Sequence, residues 1–253
     1  MIVLVQTPSP QLSAGQRTFV DRAELDFDRA ALQHRNYVKA LAACGAEVNA
    51  LDINENEPDG VFIEDTAIVL DEVAVLASMG TAARRQEPTA LRPVLEQHRQ
   101  VQAIESPARI EGGDVLRVGR KLIVGLSQRT DEAGIAALTQ IVEPHGYSVT
   151  AIPIEQCLHL KTACTALPDG RLLVNPNWIN TEALSGFDLV WIPPEEPWAA
   201  NTLPLGNDVV LPAAHIETAE LIQNLGFPVK PVDISEFAKA EGGVTCLSLV
   251  ITD

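Results

Sequence analysis

Cysteine is scarce in this 253-residue sequence, and its few copies lie far apart. The four positions are Cys44, Cys157, Cys164 and Cys246, and no two of them form a CxxC pair. A disulfide framework and a structural zinc site both need closer spacing, so we expect neither. Reduced thiols in turn indicate a cytoplasmic protein.

Long apolar runs and basic residues are also lacking. No apolar run reaches the roughly 18 residues that a membrane-spanning helix needs, and residues 1–5 begin a strand-like pattern in place of a targeting signal. We therefore expect no membrane partner. Lysine and arginine total 18 against 34 aspartates and glutamates, which gives a formal net charge of −16. Because a nucleic acid needs a basic surface, we expect no nucleic-acid partner either.

A repeat of helix-to-strand joints is present along the chain. Each joint is a glycine that follows a helical pattern and precedes a strand-like one, at Gly45, Gly146, Gly186 and Gly226. A glycine in this place can adopt the left-handed conformation that ends a helix. Hairpin-like turns between short apolar runs lie upstream of these joints, at residues 71–72, 119–121, 168–170 and 206–208.

These joints and turns divide the chain into five units that read strand, strand, helix, strand. One unit, with its helix near residues 82–98, lacks the glycine, and another combines residues 244–250 with the N-terminal strand, a helix near 25–44 and a strand at 47–53. Five such units closed into a ring bury each apolar face against a neighbour. The sequence thus predicts an α/β fold, a five-bladed ββαβ ring in a single domain over 1–253. The alternative is a doubly wound α/β sheet, against which the hairpins count.

Equivalent positions of a ring converge on its axis, so polar residues at the start of each unit's first strand should meet there. These residues are Glu64 with Asp65, the Glu111–Asp114 segment, His159, Asn201 and Cys246 after two glycines. A thiol, an imidazole and carboxylates in one place supply a nucleophile, a base and a group that orients the base.

Cys246 and His159 each have a plainer interpretation when taken alone. Cys246 lies in an apolar pattern at residues 243–249 and could be a buried strand cysteine, while His159 could be a core histidine. Because both residues are expected at the same site as several carboxylates, we favour the catalytic interpretation. Glu64 and Asp65 follow the apolar residues 61–63, and adjacent carboxylates there are suited to a planar cation with several N–H donors, such as guanidinium.

Six separate motifs, in order, carry a resemblance to a known family. They are PDGVFIED at 58–65, GTAARR at 80–85, EGGDVL at 111–116, VGLSQRT at 124–130, LHLK at 158–161 and GVTCLS at 243–248. The chain resembles the dimethylarginine dimethylaminohydrolase family of the guanidino-modifying superfamily, over almost its full length. The five-bladed ββαβ fold of that superfamily is called pentein.

The resemblance implies a role for each matching residue. Cys246 corresponds to the nucleophile, His159 to the acid and base, and Glu111 to the carboxylate that orients His159. The residues implied in substrate binding are Asp65, Glu64 and Asp59 for the amidine, Arg84 and Arg129 for the α-carboxylate, and Phe19 in a lid loop at residues 12–22. It implies a methylated-arginine substrate, citrulline as product, no metal or other cofactor, and a monomer or homodimer.

Related activities remain as alternatives. Arginine deiminases carry a second acid two residues after the catalytic histidine, where this chain has Lys161. An apolar or neutral wall there leaves room for N-methyl groups, which favours methylarginine over arginine. An amidinotransferase ranks third, and a catalytically silent protein that binds guanidino compounds is the alternative of another class.

Overall fold

The computed structural model describes residues 1–252, and its fifteen strands form five separate three-stranded sheets. The strands β1 to β15, in order, are Ile2–Gln6, Glu47–Leu51, Ala67–Val69, Val73–Leu76, Gln100–Ala103, Val115–Val118, Lys121–Leu126, Ser148–Pro153, Cys164–Ala166, Leu172–Val174, Leu189–Trp191, Leu203–Leu205, Asp208–Pro212, Val229–Val232 and Leu249–Ile251. The α-helices α1 to α6 are Phe27–Ala43, Glu87–Leu95, Glu132–Val142, Leu160–Ala163, Ile216–Asn224 and Ser235–Lys239.

All five sheets share one topology. The middle strand pairs antiparallel with the strand before it and parallel with the strand after it, as β4 does with β3 and β5. In the sheet made from both chain ends, β1 pairs antiparallel with β15 and parallel with β2. The predicted five-unit ββαβ arrangement, with the two chain ends completing one unit, is confirmed.

The middle strands explain why the sheets form a ring. Each is apolar on both faces, and alternate side chains enter the cores shared with the two neighbouring sheets. In β1, for example, Val3 and Val5 pack with residues of β12 and β13, whereas Leu4 packs with residues of β3 and β4. The same division holds for β4, β7, β10 and β13, so five hydrophobic cores link the five sheets in sequence.

The predicted joints and turns lie where expected. The four glycines that precede β2, β8, β11 and β14 have φ angles of 83°, 80°, 98° and 97° for Gly45, Gly146, Gly186 and Gly226. Residues with a Cβ rarely adopt this conformation, which accounts for glycine at these positions. The hairpin turns separate the first two strands of four sheets as predicted.

Two elements of the structure differ from the prediction. The unit of β9 to β11 has only a 3-10 turn, Thr181–Leu184, in place of its helix, because the segment that follows β10 begins with the helix-breaking sequence Asn175-Pro176-Asn177. The strand expected at 244–250 begins only at Leu249. Residues just before it use their polar groups elsewhere, since the Thr245 amide donates to Asn201 Oδ1.

No helix within residues 1–252 is long and apolar enough to cross a membrane.

Candidate active site

The sequence predicted that the axial polar residues begin the first strand of each unit. They lie instead in short turns just before each sheet's first strand. Glu64 and Asp65 lie in the 3-10 turn Ile63–Thr66 before β3, and Glu111 precedes the turn Gly112–Asp114 before β6. His159 is the N-cap residue of α4, and Cys246 lies in a turn at residues 244–247. From these turns, the side chains of Asp65, His159 and Cys246 reach the wall of one cavity.

His159 and Glu111 form a buried pair. The distance from His159 Nε2 to Glu111 Oε2 is 2.7 Å, and Glu111 is fully buried. A Cβ atom added at Gly113 would lie 2.7 Å from His159 Nδ1, so glycine is needed there to make room for the imidazole. Because a carboxylate only accepts hydrogen bonds, this contact places a proton on Nε2 and leaves Nδ1 to face the site.

The electrostatics of the pair favour an imidazolium. Burial lowers the pKa of His159, but the negative charges of Asp65, Asp114 and Glu111 outweigh it and raise the pKa to about 9. Burial raises the pKa of Glu111, yet the hydrogen bond to His159 and the nearby arginines lower it to about 2. His159 is therefore protonated at neutral pH, ready to act as a general acid.

Asp65 has one carboxylate oxygen that accepts a hydrogen bond and one that does not. Its Oδ2 accepts a hydrogen bond of 2.6 Å from Arg84 Nη1. Its Oδ1 is buried, lies 3.6 Å from His159 Nδ1, and has no hydrogen-bond partner among residues 1–252. A buried carboxylate oxygen without a hydrogen bond costs free energy, so beyond its contact with the imidazolium this atom is available to accept from the N–H group of a ligand.

Cys246 faces the same small cavity as Asp65 and His159. The cavity has a volume of about 20 Å³, and its wall also includes Phe62 and Leu158. Cys246 keeps partial exposure, and its Sγ accepts a hydrogen bond of 3.3 Å from the Gly243 amide. Burial raises the pKa of Cys246, and the negative charges of Glu64 and Asp65 raise it further. The resting group is a thiol.

Glu64 does not lie on the wall of this cavity. Its Oε1 accepts from Lys161 Nζ at 2.5 Å, and its Oε2 accepts from Thr245 Oγ1 at 2.6 Å. Both Glu64 and Lys161 line a different cavity of about 210 Å³. The expected neutral wall at Lys161 is therefore a buried ion pair, and Asp65 rather than Glu64 presents an unbonded oxygen to the thiol.

Arg84 is buried and already bonded to protein groups. It donates to Asp65, to Glu87 through Nε and Nη2, and to the carbonyl oxygen of Phe62 at 3.0 Å. Arg129 Nη1 lies 3.4 Å from Glu111 Oε1. Both arginines line the catalytic cavity, so they are in reach of a ligand, while Arg84 also holds Asp65 in place.

The lid loop covers the cavity through Gln16 rather than Phe19. Gln16 lines the cavity, and its backbone amide donates to both carboxylate oxygens of Asp59, at 3.1 and 3.0 Å. Phe19 is not among the cavity-lining residues; its amide donates to Glu241 Oε1 at 2.7 Å. Asp59 explains this difference, because its carboxylate binds the loop at Gln16, three residues before Phe19.

Several supporting residues were not assigned from the sequence. Glu87 follows Arg84 by three residues, a helical ion-pair spacing that could have been recognised. Asp114 accepts from Ser127 and from the Leu160 amide, which fixes the turn after His159. Its only signal was its place in the EGGD motif.

Three donor atoms in the site are close enough to hold a cation. Ligand atoms of Asp65, Glu111 and His159 all lie within 4.8 Å of one another. Arg84 and Arg129 already bring positive charge to the same carboxylates, and His159 Nε2 is bonded to Glu111. These contacts disfavour a metal ion, and metal independence stays a prediction.

A five-bladed ring with a thiol, an imidazolium and an unsatisfied carboxylate on its axis defines a guanidino-modifying enzyme of the pentein class. A family model described as arginine deiminase matches residues 52–190.

The chain is 38% identical to a dimethylarginine dimethylaminohydrolase of Streptomyces coelicolor, covering 97% of this chain and 95% of that one. It is 33% identical to the same enzyme of Pseudomonas aeruginosa, with 98% of both chains covered. A solved structure of the latter, a cysteine-to-serine variant complexed with citrulline, matches with a TM-score of 0.90 and 32% identity over 98% of this chain and 97% of that chain. The chain belongs to the dimethylarginine dimethylaminohydrolase family.

Proposed function

We propose that the protein hydrolyses N-methylated arginine to citrulline and a methylamine, with Cys246 as nucleophile. The observation that carries this proposal is Asp65 Oδ1, a buried carboxylate oxygen without a partner within residues 1–252, on the wall of the cavity that Cys246 faces. A guanidinium N–H group supplies the donor that this oxygen lacks. The family and its citrulline-bound relative support the same substrate class.

The substrate's positive charge activates the nucleophile. In the resting site the thiol is held protonated by burial and by two negative charges. A guanidinium that binds between Asp65 and Cys246 offsets those charges and favours the thiolate, with the thiol proton lost to solvent because His159 is already protonated. The Gly243 amide, which donates to Sγ, stabilises the same anion.

In the first half of the reaction, the thiolate attacks the guanidinium carbon and forms a C–S bond. The bond from that carbon to the methylated nitrogen then breaks, and His159 donates its Nδ1 proton to the leaving amine. Glu111 holds the imidazole in the orientation that points Nδ1 into the cavity. An S-alkylthiouronium remains on Cys246.

In the second half, neutral His159 takes a proton from water at Nδ1, and the hydroxide attacks the same carbon. The C–S bond breaks, the carbon becomes the ureido carbonyl of citrulline, and the proton of its former hydroxyl group passes to the released sulfur, which restores the thiol of Cys246. The net reaction consumes one water and releases one amine. Dividing the displacement into two steps is the advantage of covalent catalysis.

The remaining binding residues are part of this proposal. Arg84 and Arg129 bind the α-carboxylate, for which paired guanidinium groups are suited. Asp59 acts through the lid loop as well as on the substrate, since it holds the Gln16 amide. Glu64 shapes the amidine end indirectly through Thr245, beside Cys246, and Phe19 contacts the substrate only if the loop moves.

Free arginine is the rival substrate, and one contact disfavours it. Lys161 occupies the position where an arginine deiminase carries its second acid, and its ammonium group is bound to Glu64. Among residues 1–252, the site therefore has a single buried carboxylate oxygen without a hydrogen bond, in place of a two-sided clamp. A methylated nitrogen, which has fewer N–H groups, suits this site better.

We also propose that residues 1–253 act as one catalytic domain in the cytoplasm, as a monomer or homodimer. The five linked cores support a single folding unit. The expectation of no nucleic-acid partner stays a prediction based on the net charge.

The test is turnover of asymmetric dimethylarginine, with citrulline and dimethylamine both quantified. The wild type should form them in equal amounts, and Cys246→Ser should form neither. To separate an enzyme from a silent binder, Cys246 alkylation is measured with and without substrate. Protection of the thiol without any citrulline would favour the binding protein.

A further inference from the structure

The turn that carries Cys246 is held by hydrogen bonds outside any strand, several of them from side chains. Regular pairing begins only at Leu249, so residues 244–247 lack the ladder hydrogen bonds that would fix their shape. Sγ nevertheless accepts from the Gly243 amide, a contact that depends on the path of the whole turn. Whatever fixes this path positions the nucleophile.

Tyr37 of α1 contacts the turn on both sides of Cys246. Its side chain is fully buried, and its hydroxyl lies 2.7 Å from the Val244 carbonyl oxygen and 2.9 Å from Ser248 Oγ. The two partners stand two residues before and two residues after Cys246. A single phenol thus bridges the two ends of the turn.

The direction of these hydrogen bonds follows from chemistry. A carbonyl oxygen only accepts, so Tyr37 gives its proton to Val244, and the Ser248 hydroxyl must donate to Tyr37. Burial raises the pKa of Tyr37, which keeps the phenol protonated. Each group in the chain Ser248 to Tyr37 to Val244 therefore has one fixed role.

The opposite face of the turn is held separately. Thr245 donates through its hydroxyl to Glu64 and through its amide to Asn201, and the Glu64 amide donates to the Cys246 carbonyl oxygen at 3.2 Å. These bonds fix the turn from the axial side. On the side of α1, Val244 and Leu247 pack in the core, and Tyr37 supplies the hydrogen bonds.

We propose that Tyr37 is a positioning residue for the nucleophile, holding the turn so that the Gly243 amide meets Sγ and Sγ faces His159. Tyr37 does not touch the catalytic cavity and acts only through Val244 and Ser248. The proposal rests on the proposed function for its kinetic readout. A displacement of about 1 Å at a reacting group can cost about a hundredfold in rate.

The chain offers a matched control in its other tyrosine. Tyr147 is also buried, with 3% exposure, and its hydroxyl accepts from the Asp71 amide at 3.4 Å, in the core of β3 to β8. Tyr37→Phe and Tyr147→Phe remove the same atom from two buried sites, and only the first contacts the turn. Ser248→Ala is a second variant, which keeps the Tyr37 bond to Val244.

We expect Tyr37→Phe to lower kcat at least about tenfold with KM within about threefold of wild type. The pH midpoint of Cys246 alkylation by iodoacetamide should rise by about half a pH unit, because the Gly243 donor moves away from Sγ. Tyr147→Phe should change neither quantity, and Ser248→Ala should shift both in the direction of Tyr37→Phe but less.

Equal kcat values and equal alkylation midpoints in the two tyrosine variants would overturn the proposal. If Tyr37→Phe does not fold, Ser248→Ala decides by the same two readouts, and wild-type behaviour there also overturns it. Alkylation needs no turnover. A wild-type protein that releases no citrulline would thus refute the proposed function while the thiol midpoint still tests Tyr37.

Discussion

Lys161 and Glu64 form a largely buried ion pair whose removal should lower the stability of the fold. The distance from Nζ to Oε1 is 2.5 Å, and the two side chains are 16% and 8% exposed. Burial raises the pKa of Glu64, and Lys161 opposes that rise. Lys161→Met removes the cation, keeps most of the side-chain volume, and leaves a buried carboxylate with Thr245 alone.

The expected cost is that of breaking a buried ion pair, about 3–5 kcal/mol in the free energy of unfolding at pH 7. For a chain of this size, the melting temperature should fall by roughly 6 to 20 °C. In Lys161→Met/Glu64→Gln the remaining group is a neutral amide that still accepts from Thr245. We therefore expect the double variant to recover about 2 kcal/mol or more relative to Lys161→Met.

The assay is urea unfolding of wild type, both single variants and the double variant, with Arg92→Met as control. Arg92 Nη1 lies 3.6 Å from Glu96 Oε1, and the two side chains are 38% and 53% exposed. Loss of this ion pair should therefore cost no more than about 0.5 kcal/mol in the free energy of unfolding. A Lys161→Met cost below about 1 kcal/mol, or additive single and double variants, would refute the buried pair as a stabilising contact. The structure also makes Lys161→Asp a poor probe of specificity, since it places two carboxylates together.

Further predictions concern the catalytic groups. Cys246→Ser should fold and bind substrate but release no citrulline, because an alcohol is far less ionised than a thiol; turnover within about tenfold of wild type would move the nucleophile elsewhere. His159→Gly should accumulate the thiouronium on Cys246, seen by mass spectrometry of the intact protein, or stop before it; normal cycling would remove His159 from the mechanism. The pKa of His159 is raised to about 9 from 6.5, so its contribution to stability is full below pH 6.5 and is lost as the pH rises through 9. His159→Asn should lack this slope in urea unfolding between pH 6.5 and 9.5, and an unchanged slope would contradict a folded-state imidazolium.

The ring could be predicted from the sequence because its signals are local. A glycine such as Gly146 ends a helix within its own segment, and a turn such as residues 119–121 separates adjacent apolar runs. The convergence of Asp65, His159 and Cys246 followed from the symmetry of the repeat. Their roles required the resemblance, since an isolated cysteine in an apolar segment is ordinary.

Contacts between distant segments could not be predicted in the same way. Lys161 and Glu64 are 97 residues apart, and nothing in either motif shows that they pair. The turns that replace the starts of the first strands depend on bonds such as Thr245 to Asn201, which exist only once the ring closes. The contact between the lid loop and Asp59 could not be predicted for a similar reason, because Asp59 binds the Gln16 backbone amide across 43 residues.

The most direct test of the central claim is the ratio of kcat/KM for asymmetric dimethylarginine, monomethylarginine and arginine, with citrulline and the released amine assayed together. Within the described part of the chain, the site has one buried carboxylate oxygen without a hydrogen bond, and Lys161 stands in place of a second acid. Unsubstituted arginine thereby loses charge-assisted hydrogen bonds worth about 1.5–3 kcal/mol, so a methylated substrate should be preferred by at least about tenfold. A wild-type protein that prefers arginine would contradict the substrate assignment, and one that releases citrulline from none of the three would contradict the account as a whole.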